Sequence, residues 1–195
     1  MHFSSESVVV IEHKEVNDVP MGEIKQTEKS VLNLQYRRPS VEDGGSMWEL
    51  VKETGVLDVN SSYSYLMLSK FFSDTCLVAV DETEERLAGF VTGFRPPQNS
   101  NSYFVWQIAV SDHYRGQGIA TRLIKHLVGE LEGIDYITAT ISPSNKASQS
   151  LFARLAKDYN TSVRVSPADG FSAHQFPEGH HEDEHFYSVG PIRKG

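Results

Sequence analysis

A strand, a glycine-containing turn and an amphipathic helix follow one another over residues 103–131. Residues 103–110 are apolar at nearly every position, which is typical of a central strand covered on both faces. Residues 119–131 then carry apolar side chains at the spacing of one helix face. Because such a strand needs helices on both sides of its sheet, this unit predicts an α/β fold.

The turn between this strand and helix has the composition of an anion-binding loop. Gly116 and Gly118 allow a positive φ or a close approach of a ligand to the backbone. The following helix N-terminus offers N–H groups and partial positive charge, and Arg115 adds a full charge. The spacing fits neither a Walker A loop, since no Gly-Lys-Ser/Thr follows, nor the dinucleotide fingerprint, whose third glycine is missing. We therefore predict a pyrophosphate cradle formed by Arg115, Gly116, Gln117, Gly118, Ile119 and Ala120.

The rest of the chain alternates between strand and helix signals. Strands are predicted at 32–36, 76–80, 87–94, 103–110, 136–141, 162–165 and 186–189, and helices at about 47–54, 62–72, 119–131 and 147–156. The order β-α-α-β-β-β-α-β-α-β-β favours one mixed central sheet with helices on both faces, in a single domain of residues 32–195. A long loop is expected between 165 and 186. Residues 1–31 show no helical period and are predicted to be a flexible or loosely docked N-terminal extension.

Composition excludes several classes of function. The chain has 26 acidic and 18 basic residues and a formal net charge of −8, which disfavours a nucleic-acid or anionic-membrane binder because phosphate neutralisation needs a basic face. No stretch approaches the roughly 20 apolar residues of a membrane span. Cys76 is the one cysteine, so the chain forms no internal disulfide or cysteine-based zinc site, and a reducing cytoplasm is the expected compartment.

The pattern Arg-x-x-Gly-x-Ala at residues 115–120 resembles motif A of the GCN5-related N-acetyltransferases (GNAT), and the element order resembles the GNAT fold. The resemblance implies acetyl-CoA as cosubstrate, in a transfer that needs no metal. It also implies that the strand at 106–110 splays from its neighbour, with an N–H near Ile108 facing the thioester oxygen. Further cofactor-binding residues implied by the resemblance are Gln107, Ile108, Ala109, Val110, Asn145 and Ser148.

One position departs from the superfamily pattern. Many members carry a tyrosine seven residues after the asparagine, which protonates the leaving thiolate, whereas this chain has Phe152. Another group, water included, must then supply the proton. Since a thiolate is a tolerable leaving group, the departure is compatible with catalysis, but it leaves open a non-catalytic CoA-binding module.

A closer resemblance, over residues 34–192, rests on several groups of residues. They are Arg38-Pro39, Asp43-Gly44, Leu57-Asp58-Val59-Asn60-Ser61-Ser62-Tyr63-Ser64-Tyr65, Phe72, Thr75, Gly89-Phe90, Pro96-Pro97, Trp106-Gln107-Ile108-Ala109-Val110 and Ser142-Pro143-Ser144-Asn145. In these residues the chain resembles the L-2,4-diaminobutyrate acetyltransferases of ectoine synthesis. The resemblance implies acetyl transfer to the γ-amino group of L-2,4-diaminobutyrate, giving N4-acetyl-L-2,4-diaminobutyrate, and a homodimer.

The acceptor pocket of this fold is usually built by the segment between the first two helices and by the C-terminal loops. Carboxylates there suit an amine substrate, because ammonium groups bind anionic acceptors. The amine must lose a proton before it attacks, and Glu184 or Asp58 is the expected catalytic base, directly or through water. Trp106 is expected to wall the pocket. The predicted substrate-binding residues are Asp58, Asn60, Ser61, Tyr63, Tyr65, Trp106, His181, Glu182 and Glu184.

Two alternatives remain open from the sequence. His181 and His185 stand four residues apart with carboxylates between them, a spacing that allows a metal site, although acetyl transfer needs none. The acceptor is open as well. A polyamine, another diamino acid or a protein N-terminus would suit an acidic pocket, but a peptide would need an open groove that no sequence feature indicates.

Overall fold

The computed structural model describes residues 32–55, 57, 59–177 and 181–193. The extension predicted for residues 1–31 therefore lies outside the described residues. The order of helices and strands is the one predicted from the sequence. The elements are β1 (Leu34–Arg37), α1 (Asp43–Thr54), α2 (Ser62–Phe71), β2 (Leu77–Asp81), β3 (Arg86–Phe94), β4 (Ser102–Val110), α3 (Ile119–Glu130), β5 (Tyr136–Ile141), α4 (Lys146–Asp158), β6 (Val163–Phe171) and β7 (Glu184–Val189).

A seven-stranded sheet, ordered β1-β2-β3-β4-β5-β7-β6, runs through the described part of the chain. β4 and β5 pair in parallel, whereas the other neighbours pair antiparallel. The predicted mixed sheet is therefore confirmed. β4 lies at its centre, as the continuous apolar run of this strand predicts.

Helices cover both faces of the sheet, and each face has its own core. On one face, α1 buries Met47 and Val51 against Phe90 of β3. On the other, α3 buries Leu123 and Leu127, which are among the fully buried side chains. Since burying one such side chain contributes about 1.5–3 kcal/mol of transfer free energy, the two cores hold the central strands firmly between them. None of the described helices is both long enough and apolar enough to cross a bilayer.

The chain after α4 differs from its prediction. β6 continues to Phe171 instead of ending near residue 165, and β7 begins at Glu184 instead of at 186, so the predicted long loop is wrong at both ends. β6 is an edge strand whose side chains are half-buried or exposed, and it therefore lacks the apolar alternation that marks a strand. Gly170 allows the two strands to meet, because a side chain there would collide with the Glu184 carbonyl oxygen.

An ion pair secures the corner between β1 and α1. Arg37 Nη1 and Nη2 donate to the two carboxylate oxygens of Asp43 at 2.7 and 2.8 Å, and the Ser40 N–H donates to Asp43 Oδ2 at 2.7 Å. Burial alone would raise the pKa of Asp43, but the hydrogen bonds from Arg37 and Ser40 outweigh burial and hold the pKa below its ordinary value of 3.8. The fold therefore favours the ionised carboxylate.

We expect Asp43→Asn to lower the free energy of unfolding by about 1–3 kcal/mol at neutral pH, because Arg37 and the Ser40 N–H lose a charged acceptor. A group whose folded pKa is depressed stabilises the protein above its unfolded pKa, and this stabilisation is lost as the pH falls through the folded value. The advantage of the wild type should therefore shrink below about pH 3.8. Urea unfolding at neutral pH and at about pH 3 measures both effects, and an equal difference at the two pH values would contradict the assignment.

Candidate active site

β4 and β5 diverge after a short parallel pairing. The pairing joins residues 102–104 to residues 136–138, whereas β4 continues along β3 as far as Val110. The register with β3 shifts after Thr92, which leaves Trp106 as an extra residue in β4. A cleft therefore opens between the two parallel strands, with Trp106 lining it.

The backbone of β4 presents hydrogen-bonding groups to this cleft. The Ser111 N–H donates to the Ala88 carbonyl oxygen of β3 at 2.9 Å. Since backbone directions alternate along a strand, the N–H groups of Ile108 and Val110 point the other way, toward β5. The pairing with β5 ends well before these residues. An extended ligand in the cleft can therefore bond to β4 as a neighbouring strand would.

A cavity of about 490 Å³ occupies the cleft. Its lining includes six aromatic side chains, together with polar residues such as Gln107 and Thr140. The apolar side chains reduce contact with water, and this strengthens electrostatic interactions beside them. The aromatic walls are Phe94, Phe104, Trp106, Phe152, Phe171 and Phe176.

The segment between β6 and β7 brings ionisable side chains to the cleft. His181 stacks on Phe176 with ring centroids 4.3 Å apart, and Phe176 meets Phe171 edge-on at 6.4 Å. These three residues line the cavity together with Glu184, the first residue of β7. Within the described residues, Glu184 is the one carboxylate of the lining. This end of the cleft therefore combines a negative charge with an apolar wall.

A second cavity, of about 270 Å³, lies at the N-terminus of α3. Gly116 and Gly118 line it with φ of +75° and +73°, and a Cβ at either position would have no neighbouring protein atom within 4 Å. The Arg122 N–H donates to the Gly118 carbonyl oxygen, so the N–H groups of residues 119–121 precede the helical ladder. Leu151 lines both this cavity and the cleft, so the two are neighbours.

A third cavity, of about 500 Å³, adjoins the second through Arg154. Arg122 and Lys125 also line it, against one carboxylate, Asp158, whose Oδ2 lies 3.2 Å from Lys125 Nζ. The Tyr36 hydroxyl is buried at this cavity with no hydrogen-bond partner among the described residues. In a chain with a net charge of −8, this concentration of positive charge is suited to an anion.

Comparison with known proteins agrees with this geometry. The model of the Acetyltransferase (GNAT) family matches residues 46–156. The L-2,4-diaminobutyric acid acetyltransferase of Marinococcus halophilus is 45% identical over 170 residues, which cover 86% of this chain and 96% of that protein. The enzyme of the same name from Halalkalibacterium halodurans is 46% identical over 157 residues, or 80% of each chain.

A solved structure is also similar to this chain. The diaminobutyrate acetyltransferase of Paenibacillus lautus, in complex with its substrate L-2,4-diaminobutyric acid and coenzyme A, matches with a TM-score of 0.77 at 40% identity. The match covers 84% of this chain and 98% of that one. The chain belongs to the L-2,4-diaminobutyric acid acetyltransferases of the GNAT family. The family and the GNAT fold expected from the sequence are thus confirmed.

Only some of the predicted acceptor residues that the structure describes line the cleft of this GNAT enzyme. Ser61 caps α2, since its hydroxyl oxygen accepts from the Tyr63 N–H at 3.3 Å, and neither residue lines the cavity. Tyr63 is 69% exposed. Asp58 lies outside the described residues, between two residues that line the cavity. The predicted acceptor residues that line the cavity are Asn60, Trp106, His181 and Glu184.

Tyr65 reaches the cleft only through Gln107. Its side chain is fully buried, and its hydroxyl donates to Gln107 Oε1 at 2.8 Å. Burial raises the pKa of Tyr65, while hydrogen bonds with Asn60 and Gln107 oppose that rise. Gln107 lines the cavity, so Tyr65 orients an amide that faces the cleft. Tyr65 lies three residues before the buried Leu68, on the core face of α2. This spacing is the signal in the sequence that its side chain is buried.

Glu182 and Asp183 do not belong to the described lining of the cavity. Glu182 Oε2 accepts from the Ser144 N–H at 3.0 Å, and Asp183 Oδ1 accepts from the Ala173 N–H at 2.8 Å. Glu182 therefore joins the β6–β7 segment to the connection between β5 and α4, whereas Asp183 joins two parts of the β6–β7 segment itself. The sequence predicts that Glu182 contacts the substrate, whereas in the structure its carboxylate accepts a hydrogen bond from the Ser144 N–H.

The start of α4 supplies the polar side chains at the far wall of the cleft. Asn145 Oδ1 accepts from the Ser148 N–H at 3.0 Å, and both residues line the cavity. Phe152 also lines it and packs edge-on against Tyr187, with ring centroids 6.1 Å apart. Phe152 has no hydroxyl with which to protonate a leaving thiolate. Along the described lining, the side-chain hydroxyls that could do so are those of Thr140 and Ser148.

The histidine-rich segment does not assemble metal ligands in the part of the chain that the structure describes. No group of three His, Cys, Asp or Glu side chains is placed there to hold an ion. His181 stacks on Phe176, and His185 lies in β7 opposite Ile141.

Sequence reasoning missed two phenylalanines near His181: Phe176 stacks on its ring, and Phe171 packs against Phe176. Phe171 ends β6, and Phe176 follows the short 3-10 helix Ala173–Gln175. Phe171 is 51% exposed, and both rings nevertheless line the cavity. Their signal in the sequence is that they are the large apolar residues of an otherwise polar and acidic stretch.

Proposed function

We propose that this chain transfers the acetyl group of acetyl-CoA to the γ-amino group of L-2,4-diaminobutyrate, which gives N4-acetyl-L-2,4-diaminobutyrate as in ectoine synthesis. The proposal rests on two neighbouring cavities that share Leu151 in their linings: one is lined by Gly116 and Gly118, and the other by Glu184. A cosubstrate that fills the first can present its acyl group to an amine in the second. The Paenibacillus lautus relative, solved with diaminobutyric acid and coenzyme A, supports this pairing.

The residues present fit coenzyme A. Its diphosphate needs N–H donors and open space, and the loop at Gly116 and Gly118 has both. Its remaining phosphate suits the cavity lined by Arg122, Lys125 and Arg154. The pantetheine amides suit the cleft edge of β4, where backbone N–H groups face away from β3.

Glu184 is the proposed base for the acceptor. The γ-nitrogen of diaminobutyrate is an ammonium near neutral pH, and it must lose a proton before it can attack. The Glu184 carboxylate lines the cleft and takes this proton, directly or through one water. Asp58, next to Leu57 in the sequence, is the proposed carboxylate for the α-ammonium. With the α-ammonium held, the γ-nitrogen is the amine presented to the thioester.

Residues of β4 and α4 then serve the transfer itself. The neutral γ-nitrogen attacks the thioester carbonyl carbon, and the Ile108 N–H, directed into the cleft, stabilises the charge that develops on the carbonyl oxygen. As the C–S bond breaks, the electron pair leaves with sulfur. The nitrogen, which became cationic on attack, loses its second proton to form the amide, and water or the Ser148 hydroxyl relays a proton to the thiolate. Trp106 and its aromatic neighbours exclude water from competing for the acyl group.

The proposal includes a homodimer, which the family resemblance implies, and a cytoplasmic location. A cytoplasmic site agrees with the use of acetyl-CoA and with the lone Cys76, whose thiol is buried. Analytical ultracentrifugation of the purified chain tests the dimer. Sedimentation as a 21.8 kDa species at micromolar concentration would contradict it.

The product of the reaction decides the proposed function. The full-length chain is incubated with acetyl-CoA and L-2,4-diaminobutyrate, and the product is fragmented in a mass spectrometer to locate the new amide. We expect acetylation of the γ-nitrogen. Ornithine, lysine, spermidine and a peptide with a free N-terminus are compared at equal concentration. A higher kcat/KM for any of these, or an α-acetyl product, would overturn the assignment, and no release of CoA with any amine would favour a non-catalytic CoA-binding module.

A further inference from the structure

Of residues 181–184, two line the cleft, and the other two carry carboxylates that accept hydrogen bonds from backbone N–H groups. We call these two hydrogen bonds tethers. His181 and Glu184 line the cavity. Between them, Glu182 Oε2 accepts from the Ser144 N–H at 3.0 Å, and Asp183 Oδ1 accepts from the Ala173 N–H at 2.8 Å. The two tethers end on different loops. Asp183 holds the neighbouring turn of its own β6–β7 segment, whereas Glu182 reaches across to the connection between β5 and α4.

The loop that Glu182 reaches belongs to the cosubstrate side of the cleft. It contains Asn145, which lines the cavity and caps α4 through the Ser148 N–H. The loop is also held from within α4, because Gln149 Nε2 donates to the carbonyl oxygens of Ser142 and Pro143 at 3.1 and 3.0 Å. A ligand that bonds to Asn145 therefore bonds to a loop whose neighbouring N–H is directed at Glu182.

We infer that Glu182 is a positioning residue that couples the binding of acetyl-CoA to the binding of the amine; this inference rests on the proposed function. Cosubstrate held by the Ser142–Asn145 turn orders the Ser144 N–H, and this N–H holds Glu182. Glu182 in turn holds His181 and Glu184 at the cleft. Coupling between two sites is reciprocal, so a bound amine tightens the binding of the cosubstrate by the same factor.

This role differs from direct contact with the amine. If Glu182 bound the substrate directly, removing its carboxylate would lower the affinity for the amine to the same extent whether or not coenzyme A is present. If Glu182 is instead a tether between the two sides, removing it lowers the affinity for the amine mainly when coenzyme A is also bound, because only then are both ends of the hydrogen bond held. The relevant measurement is therefore the ratio of two affinities.

Titration calorimetry with the full-length enzyme measures this ratio. L-2,4-Diaminobutyrate is titrated into the protein alone and into the protein saturated with coenzyme A. In the wild type we expect coenzyme A to tighten the binding of diaminobutyrate about fivefold or more. Glu182→Ala should bring the ratio close to one while the affinity for coenzyme A alone stays within about twofold. Glu182→Gln should keep most of the ratio, because its amide oxygen accepts the same N–H.

Asp183→Ala is the matched control. It removes a neighbouring carboxylate that is also bonded to a backbone N–H, but one outside the cosubstrate loop. We expect Asp183→Ala to weaken the binding of diaminobutyrate with and without coenzyme A alike and to preserve the ratio. Since both side chains are exposed, we expect both variants to fold, and thermal unfolding checks this.

The possible outcomes separate this inference from the proposed function. A wild-type ratio near one, an unchanged ratio in Glu182→Ala, or an equal loss of the ratio in Asp183→Ala would overturn the coupling role while leaving the reaction intact. A wild type that binds neither ligand, or that releases no CoA from acetyl-CoA with diaminobutyrate, would overturn the proposed function instead.

Discussion

Glu184→Gln is expected to lower kcat by about 10²–10⁴-fold, the usual contribution of a positioned general base. Glu184 lines the cleft at the start of β7 and supplies the one carboxylate of the described lining. Glutamine retains the size of the side chain and an acceptor oxygen, but it cannot take a proton from the γ-ammonium. Steady-state kinetics that follow the release of the CoA thiol measure the loss, and the KM for acetyl-CoA should change little.

The dependence on pH separates a base from a carboxylate that only anchors substrate. Without the base, the variant reacts only with diaminobutyrate that arrives with a neutral γ-amine. Its kcat/KM should therefore rise with pH by about tenfold per unit until that amine is deprotonated, and the difference from the wild type should narrow. If Glu184 only held the α-ammonium, the KM for diaminobutyrate would rise while kcat stayed near the wild-type value.

Asp183→Asn is the control for the loss of one negative charge. Asp183 adjoins Glu184, but its carboxylate accepts from the Ala173 N–H, and asparagine retains an acceptor there. We expect kcat to stay within about threefold of the wild type, as is usual for a surface substitution. Equal losses of kcat in the two variants would assign the effect to net charge, and an unchanged kcat in Glu184→Gln would remove this residue from the role of base.

The part of the site that could be predicted from the sequence is local in the chain. The proposed phosphate loop consists of adjacent residues, and its prediction rests on backbone geometry that glycine alone adopts easily. The two positive φ values, at Gly116 and Gly118, agree with that prediction. The central position of β4 was predictable for the same reason, since one unbroken apolar run indicates burial on both faces.

The acceptor side could not be predicted as well, because it depends on contacts between distant segments. A single extra residue at Trp106 changes which side chains of β4 face the cleft, and nothing in an apolar run marks where that shift occurs. The acidic residues 182–184 likewise have the same charge but different roles. Glu184 lines the cavity, whereas Glu182 and Asp183 accept hydrogen bonds from backbone N–H groups. Only the fold, which brings Ser144 opposite Glu182, distinguishes a residue that bonds to backbone from one that faces substrate.

Gly118→Ala is expected to raise the KM for acetyl-CoA by about 10–100-fold with little change in kcat at saturation. Gly118 precedes α3 with φ +73° and ψ 17°, a left-handed conformation that costs a residue with a Cβ about 1–2 kcal/mol. This cost lowers the free energy of unfolding and does not by itself change the affinity for acetyl-CoA. The new methyl group would meet no protein atom within 4 Å, so it would occupy the open space in which a diphosphate contacts the N–H groups of residues 119–121.

Gly133→Ala is the matched control for backbone strain. Gly133 has φ +66°, also without a neighbour within 4 Å of its Cβ, and it lies beyond the opposite end of α3. Both variants should therefore lose similar thermal stability, whereas the increase in melting temperature on adding coenzyme A should be lost in Gly118→Ala alone. A tenfold change in affinity corresponds to about 1.4 kcal/mol, enough to resolve in both kinetics and melting curves. Equal KM values for acetyl-CoA in the two variants would show that the diphosphate does not bind at this turn.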